Sequence, residues 1–154
     1  MKRLVPALLA LALSAAAPAL TADEATIAAI QEAVDTAYVQ GIHIDQDPEK
    51  IRAGFHESFI MFIRTDDGIR QVTRDGWIER IEASKAKQAE ESSSDEPTEK
   101  PKTTAKITVL DHTPTAAVTK VDLYRDGEQI FTDYISLYHF EDGWKLVGKT
   151  FYRH

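Results

Sequence analysis

The chain has 154 residues, with 25 acidic against 18 basic side chains, a formal net charge of −7 and no cysteine. That balance argues against nucleic acid or an anionic membrane as partner, because phosphate binding needs a basic face. Without cysteine there is no disulfide, no thiolate chemistry and no thiol-linked lipid.

Met1-Lys2-Arg3 is followed by an apolar run from Leu4 to Leu13 and by small residues as far as Ala22. A basic start, a short apolar run and a small-residue exit are the parts of a cleaved secretory signal. The run is too short for a membrane span, which needs about 20 apolar residues. Cleavage is expected after Ala19 or Ala22. The later cut leaves 132 residues, at −9 once Lys2 and Arg3 are removed. The chain is therefore expected to be periplasmic or secreted, as one domain over 23–154, with no membrane contact after cleavage.

From Thr26 to Gln40, apolar residues at Ile27, Ile30, Val34, Ala37 and Tyr38 predict a helix stopped by Gly41. Thr21 and Glu24 have capping-box spacing. Asp47-Pro48-Glu49 predicts a second helix, with a side-chain cap and then proline at the first position. Phe59 to Arg64 and Ile69 to Val72 read as a hairpin about Asp67-Gly68. Thr73 caps a third helix carrying Trp77, Ile78 and Ile81. Glu90 to Thr104, rich in serine, proline and charge, reads as a mobile surface loop. Ile107–Asp111, Ala116–Arg125, Gln129–Phe140 and Trp144–Tyr152 read as strands, the last three joined at Asp126-Gly127 and Asp142-Gly143. The sum is an α+β domain.

Two-residue turns at those Asp-Gly pairs set the register and therefore the faces. One face collects Trp144, Leu146, Leu137, Ile135, Val118 and Ala116, and should carry the helices. The other collects Lys145, Lys149, Tyr134, Tyr138, Phe140 and Phe151, an aromatic surface that predicts a homodimer through the outer sheet face. Asp133 falls opposite both Lys120 and Tyr152 on the helix side, with Asp122 and His139 also there.

Phe55-His56-Glu57-Ser58-Phe59, Thr73-Arg74-Asp75-Gly76-Trp77-Ile78, Phe131-Thr132-Asp133-Tyr134 and Gly143-Trp144-Lys145-Leu146-Val147-Gly148-Lys149 together resemble the putative lumazine-binding branch of the nuclear transport factor 2-like superfamily. The resemblance runs from about Ile27 to Tyr152. It implies a cone: a curved antiparallel sheet wrapped around about three N-terminal helices, with a pocket at the open end. It does not fix a function, since such proteins include isomerases, dehydratases, cyclases and pure binding modules.

Two residues are candidates for acid–base work. Asp133, among apolar neighbours, could carry protons beside a bound carbonyl. The competing reading is a cross-strand ion pair with Lys120 and a hydrogen bond from Tyr152. His56, where the second helix meets the first strand, could act as acid or base, or could simply hold that junction. Lys120, Tyr152, Tyr38, Trp77 and His139 are the candidate ligand contacts. His43, Asp45 and Asp47 lack any recognised metal spacing, and there is no phosphate loop, dinucleotide turn or serine elbow. No metal or cofactor is expected. The leading reading is a pocket for a small apolar or aromatic molecule. The alternatives are a cofactor-free isomerase, dehydratase or cyclase using Asp133 or His56, and a dimeric interaction protein with a closed cone.

Overall fold

The computed structural model describes residues 21–91 and 101–154. The expected signal segment, but for its last two residues, and the middle of the expected polar loop lie outside them. Helix α1 spans Ala22–Val34 and opens on a capping box: Glu24 N–H donates to Thr21 Oγ1 at 3.2 Å, and Thr21 N–H donates to Glu24 Oε2 at 2.9 Å. Gly41 does not end the helix. The chain continues as a ten-residue π-helix over Asp35–Ile44. Its i→i+5 bonding widens the turn, a rare geometry that concentrates at functional sites. Helix α2 (Pro48–Gly54) is capped by Asp47, whose side chain accepts from Glu49 N–H at 2.9 Å. Gly54 packs directly on Ala37, where a Cβ would collide with that side chain. Helix α3 (Arg74–Glu91) starts where Thr73 Oγ1 accepts from Gly76 N–H at 3.1 Å.

Among the described residues, six strands follow the order β2-β1-β6-β5-β4-β3 in one curved, unclosed sheet. They are β1 (Phe55–Thr65), β2 (Gly68–Thr73), β3 (Thr103–His112), β4 (Ala116–Arg125), β5 (Glu128–Phe140) and β6 (Gly143–Arg153). β1 runs parallel to β6, and the other pairings are antiparallel. The expected 90–104 loop is thus shorter at both ends, with helix to Glu91 and strand from Thr103. Ile30, Val34 and Ile51 from the helices meet Phe59, Val121, Ile135, Leu137 and Leu146 from the sheet in the core. Each such side chain contributes about 1.5–3 kcal/mol on burial. Among the described residues no helix is long and apolar enough to cross a membrane.

The register departs from the sequence reading, for identifiable reasons. The β5–β6 turn is Glu141-Asp142: Phe140 pairs with Gly143, which takes φ 105° as the chain re-enters the ladder. The β4–β5 turn is at Asp126-Gly127 as expected, with φ 51° and 87°. Two single-residue bulges then shift everything beyond them. Ile130 is extra between Leu123↔Phe131 and Tyr124↔Gln129, and Val147 is extra between Ser136↔Gly148 and Leu137↔Leu146. A bulge moves all later side chains to the opposite face relative to the partner strand. Lys149 and Phe151 therefore point inward, against expectation. On β4, Ala117, Thr119, Val121 and Leu123 face the core in place of Ala116, Val118, Lys120 and Asp122.

Candidate functional site

The inward-facing polar groups converge at one place. Asp133 is fully buried and lies beside Lys149, which is 5% exposed. Lys149 Nζ is 2.7 Å from Asp133 Oδ1, an ion pair whose angle leaves Oδ1 without a formed hydrogen bond. Tyr38 O–H donates to Asp133 Oδ2 at 2.7 Å, and Lys149 Nζ donates to the Tyr38 oxygen at 2.6 Å. The three side chains close a ring of contacts drawn from the π-helix and from two adjacent strands.

Aromatic faces surround the ammonium. Nζ stands 4.5 Å from the Tyr38 ring centroid, 4.8 Å from Phe151, 5.3 Å from Trp77 and 5.8 Å from Phe131. Ring quadrupoles favour a cation at such distances. Burial pushes the lysine pKa below its ordinary value, while the Asp133 carboxylate opposes that shift and favours the ammonium. Burial first, then Asp133, raises the Tyr38 phenol well above its usual range, so it remains a hydroxyl. Trp77, Phe131, Phe151 and His43 are half-buried, so this collar reaches the surface while the Asp133–Tyr38 floor is sealed.

His43 packs edge-on against Tyr38, with ring centroids 4.8 Å apart. The two are five residues apart, so the i→i+5 repeat of the π-helix sets them on one side, whereas a 3.6-residue turn would splay them. Burial, assisted by the positive charges of Lys149 and Arg125, holds the His43 pKa down to about 3. The ring is therefore neutral at ordinary pH.

Of the residues singled out by the sequence, Asp133, Tyr38 and Trp77 come together here. Lys120 and Tyr152 do not, which corrects the expected Asp133 pairings. The Ile130 bulge places Val121 opposite Asp133, and the earlier β5–β6 turn together with the Val147 bulge places Phe151 there. Lys120 lies on the outer face with its Nζ 2.9 Å from Asp122 Oδ2, in a network that Gln129 and Thr132 complete. Tyr152 is 64% exposed on that face. His56 stacks on Phe140 at 4.8 Å, and its Nδ1 accepts from Ser58 N–H at 3.1 Å. It lines an outer cleft with Arg52, Arg74 and Lys145. His139 is exposed at the β5–β6 end, edge-on to Trp144, and borders a groove of about 550 Å³ beside α1. Sequence reasoning missed Lys149, His43, Phe131 and Phe151 as site residues. Gly148 inside a strand was the available signal, since an interior glycine often marks a bulge. Nothing in the sequence announces the π-helix.

No curated protein matches the chain. Among solved structures, it is similar to a nuclear transport factor 2-like protein of unknown function from Silicibacter pomeroyi (20% identity, 88% of this chain and 100% of that one, TM-score 0.59). It is likewise similar to one from Shewanella baltica (21% identity, 88% and 98%, TM-score 0.58). A protein described as a putative aromatic ring hydroxylase from Novosphingobium aromaticivorans has the same fold (16% identity, 84% and 89%, TM-score 0.58). At these identities the likeness establishes architecture and leaves activity open. The family described as putative lumazine-binding matches residues 25–152, nearly the whole described chain, and this protein belongs to that family, built on the nuclear transport factor 2-like fold.

Proposed function

We propose that the protein binds one small, mainly apolar aromatic molecule at the collar over Lys149, oriented by the Asp133–Tyr38–Lys149 triad. One observation carries this reading: a buried ammonium, ringed by aromatic faces, is held by one hydrogen bond, to Tyr38, and by the charge of Asp133. Apolar residues of similar volume would commonly be at least as stable in place of a buried ion pair. A charge retained there suits a polar task, and an N–H donor not taken by Tyr38 can serve an acceptor oxygen on a ligand whose ring lies against Trp77, Phe131 and Phe151. No metal or cofactor enters this reading.

The test is native mass spectrometry of the purified protein, followed by titration calorimetry with acetophenone, an aromatic ring bearing one acceptor oxygen. A retained mass that leaves on denaturation, or acetophenone binding weakened at least tenfold in Lys149→Met, supports the reading. A bare mass with no measurable acetophenone binding overturns it. Proton transfer by Asp133 or His56 is a weaker reading. Asp133 is already committed to Lys149 and Tyr38, and His56 is held on a different wall.

A second reading concerns assembly. Tyr134, Tyr138, Phe140 and Tyr152 are exposed on the outer sheet face, and aromatic side chains are enriched where proteins meet. This favours a homodimer through that face. A wild-type dimer in sedimentation velocity that becomes monomeric in Tyr138→Glu supports it, and a monomeric wild type removes it. We further propose that the chain is exported and processed, on the strength of its N-terminal sequence. N-terminal sequencing of protein from the periplasmic fraction tests that.

A further inference from the structure

Among the described residues, two buried side-chain atoms lack a hydrogen-bond partner, His43 Nε2 and Asp133 Oδ1, and both belong to residues that touch Tyr38. Asp133 Oδ1 is compensated by the Lys149 charge at 2.7 Å. His43 Nε2 has no such compensation. About nine in ten or more buried polar groups are paired, because an unpaired one loses its water without gaining a partner. The chain also adopts the uncommon π-helix over the segment that brings His43 onto the Tyr38 side. The orphan atom and the special backbone therefore coincide at one residue. That residue stands at the edge of the aromatic collar, 6.4 Å from the Phe131 ring.

A neutral histidine can offer Nε2 as an acceptor, with the proton on Nδ1. A cationic donor is disfavoured here, because Lys149 and Arg125 already make the surroundings of the ring positive. A neutral hydroxyl or N–H is favoured.

We propose that His43 Nε2 is the acceptor that selects, among aromatic ligands of this site, those carrying a neutral hydroxyl or N–H donor. Together with an acceptor oxygen held by Lys149, the ligand class is a planar hydroxyaryl carbonyl compound. This rests on the binding reading above and adds to it the donor end of the ligand.

The experiment compares 3- and 4-hydroxyacetophenone with their methyl ethers and with acetophenone, by calorimetry on the wild type, His43→Phe and His43→Gln. The expected result is that at least one hydroxyl compound binds the wild type about tenfold more tightly than its methyl ether and the parent, the worth of one well-formed hydrogen bond. That preference, taken as the ratio of hydroxyl compound to methyl ether, should vanish in His43→Phe and should partly return in His43→Gln, whose amide oxygen accepts. Equal binding of all compounds by the wild type overturns the role of His43 while leaving the binding reading intact. A hydroxyl preference that survives in folded His43→Phe does the same. If the wild type binds none of the compounds, both readings fall.

Discussion

Lys149 and Asp133 meet at 2.7 Å although they are not opposite each other in the ladder: Asp133 pairs with Phe151 and Lys149 with Ile135. They are diagonal neighbours on the inner face, a separation that a long side chain spans easily. Val147 makes this possible, because its bulge turns Lys149 toward the helices. Removing one partner leaves a buried charge without its counterion. Lys149→Met is expected to lose about 3–5 kcal/mol in urea unfolding, and the double replacement Asp133→Leu with Lys149→Met to regain most of it. Lys120→Met, on the outer face, should leave the unfolding midpoint where it was. A midpoint shift in Lys120→Met as large as that of Lys149→Met would contradict the pairing.

Tyr38 is the hinge of the triad, donating to the carboxylate and accepting from the ammonium. Tyr38→Phe keeps the ring against Trp77 and His43 but removes both bonds. A loss of about 1–3 kcal/mol is expected, the cost of leaving buried polar groups unsatisfied. Equilibrium denaturation checks it, and an unchanged midpoint would mean the hydroxyl is replaced without cost.

His43 titrates near 6.5 when unfolded and at about 3 when folded. As pH falls below 6.5, the unfolded chain takes up a proton that the folded chain refuses until about pH 3. The stability associated with His43 is thus fully present above 6.5 and is lost as pH falls toward 3. Several carboxylates, Asp122 among them, are depressed and also weaken the fold on acidification, but lower in the range. The interval from 6.5 down to about 5 therefore isolates the histidine. Urea midpoints measured there should decline in the wild type and stay level in His43→Phe; parallel declines would show that another group is responsible.

Gly54 ends α2 against the π-helix, and a Cβ there runs into that of Ala37. Both atoms sit on backbone, so neither can rotate away. Gly54→Ala is expected to destabilise by about 1–3 kcal/mol and to be rescued in part by Ala37→Gly. Thermal melting of the single and double variants decides; additive losses would refute the contact.

The α+β class, the three helices with their caps, the sheet-forming C-terminal half and the buried position of Asp133 were all legible in the sequence. Helical spacing, Asp47-Pro48 and the Asp126-Gly127 turn are local signals that the tertiary arrangement left in place, whereas the turns expected at Asp67-Gly68 and Asp142-Gly143 each fall one residue earlier. The partners of Asp133 were not legible. Two inserted residues, Ile130 and Val147, decide which side chains face inward, whereas the turn one residue earlier than the Asp-Gly pair suggested slides the pairing by two positions and leaves the faces as they were. A strand has a period of two, so each one-residue shift exchanges the faces. The sequence alone favoured Lys120 and Tyr152 around Asp133, and the folded sheet supplies Lys149 and Phe151. The π-helix likewise depends on packing: its wide turn presses Ala37 on Gly54 and carries Tyr38 and His43 to the same side. Composition and periodicity determined that a carboxylate would lie beneath the helices. Only the register, fixed by long-range pairing, determined which cation and which rings enclose it.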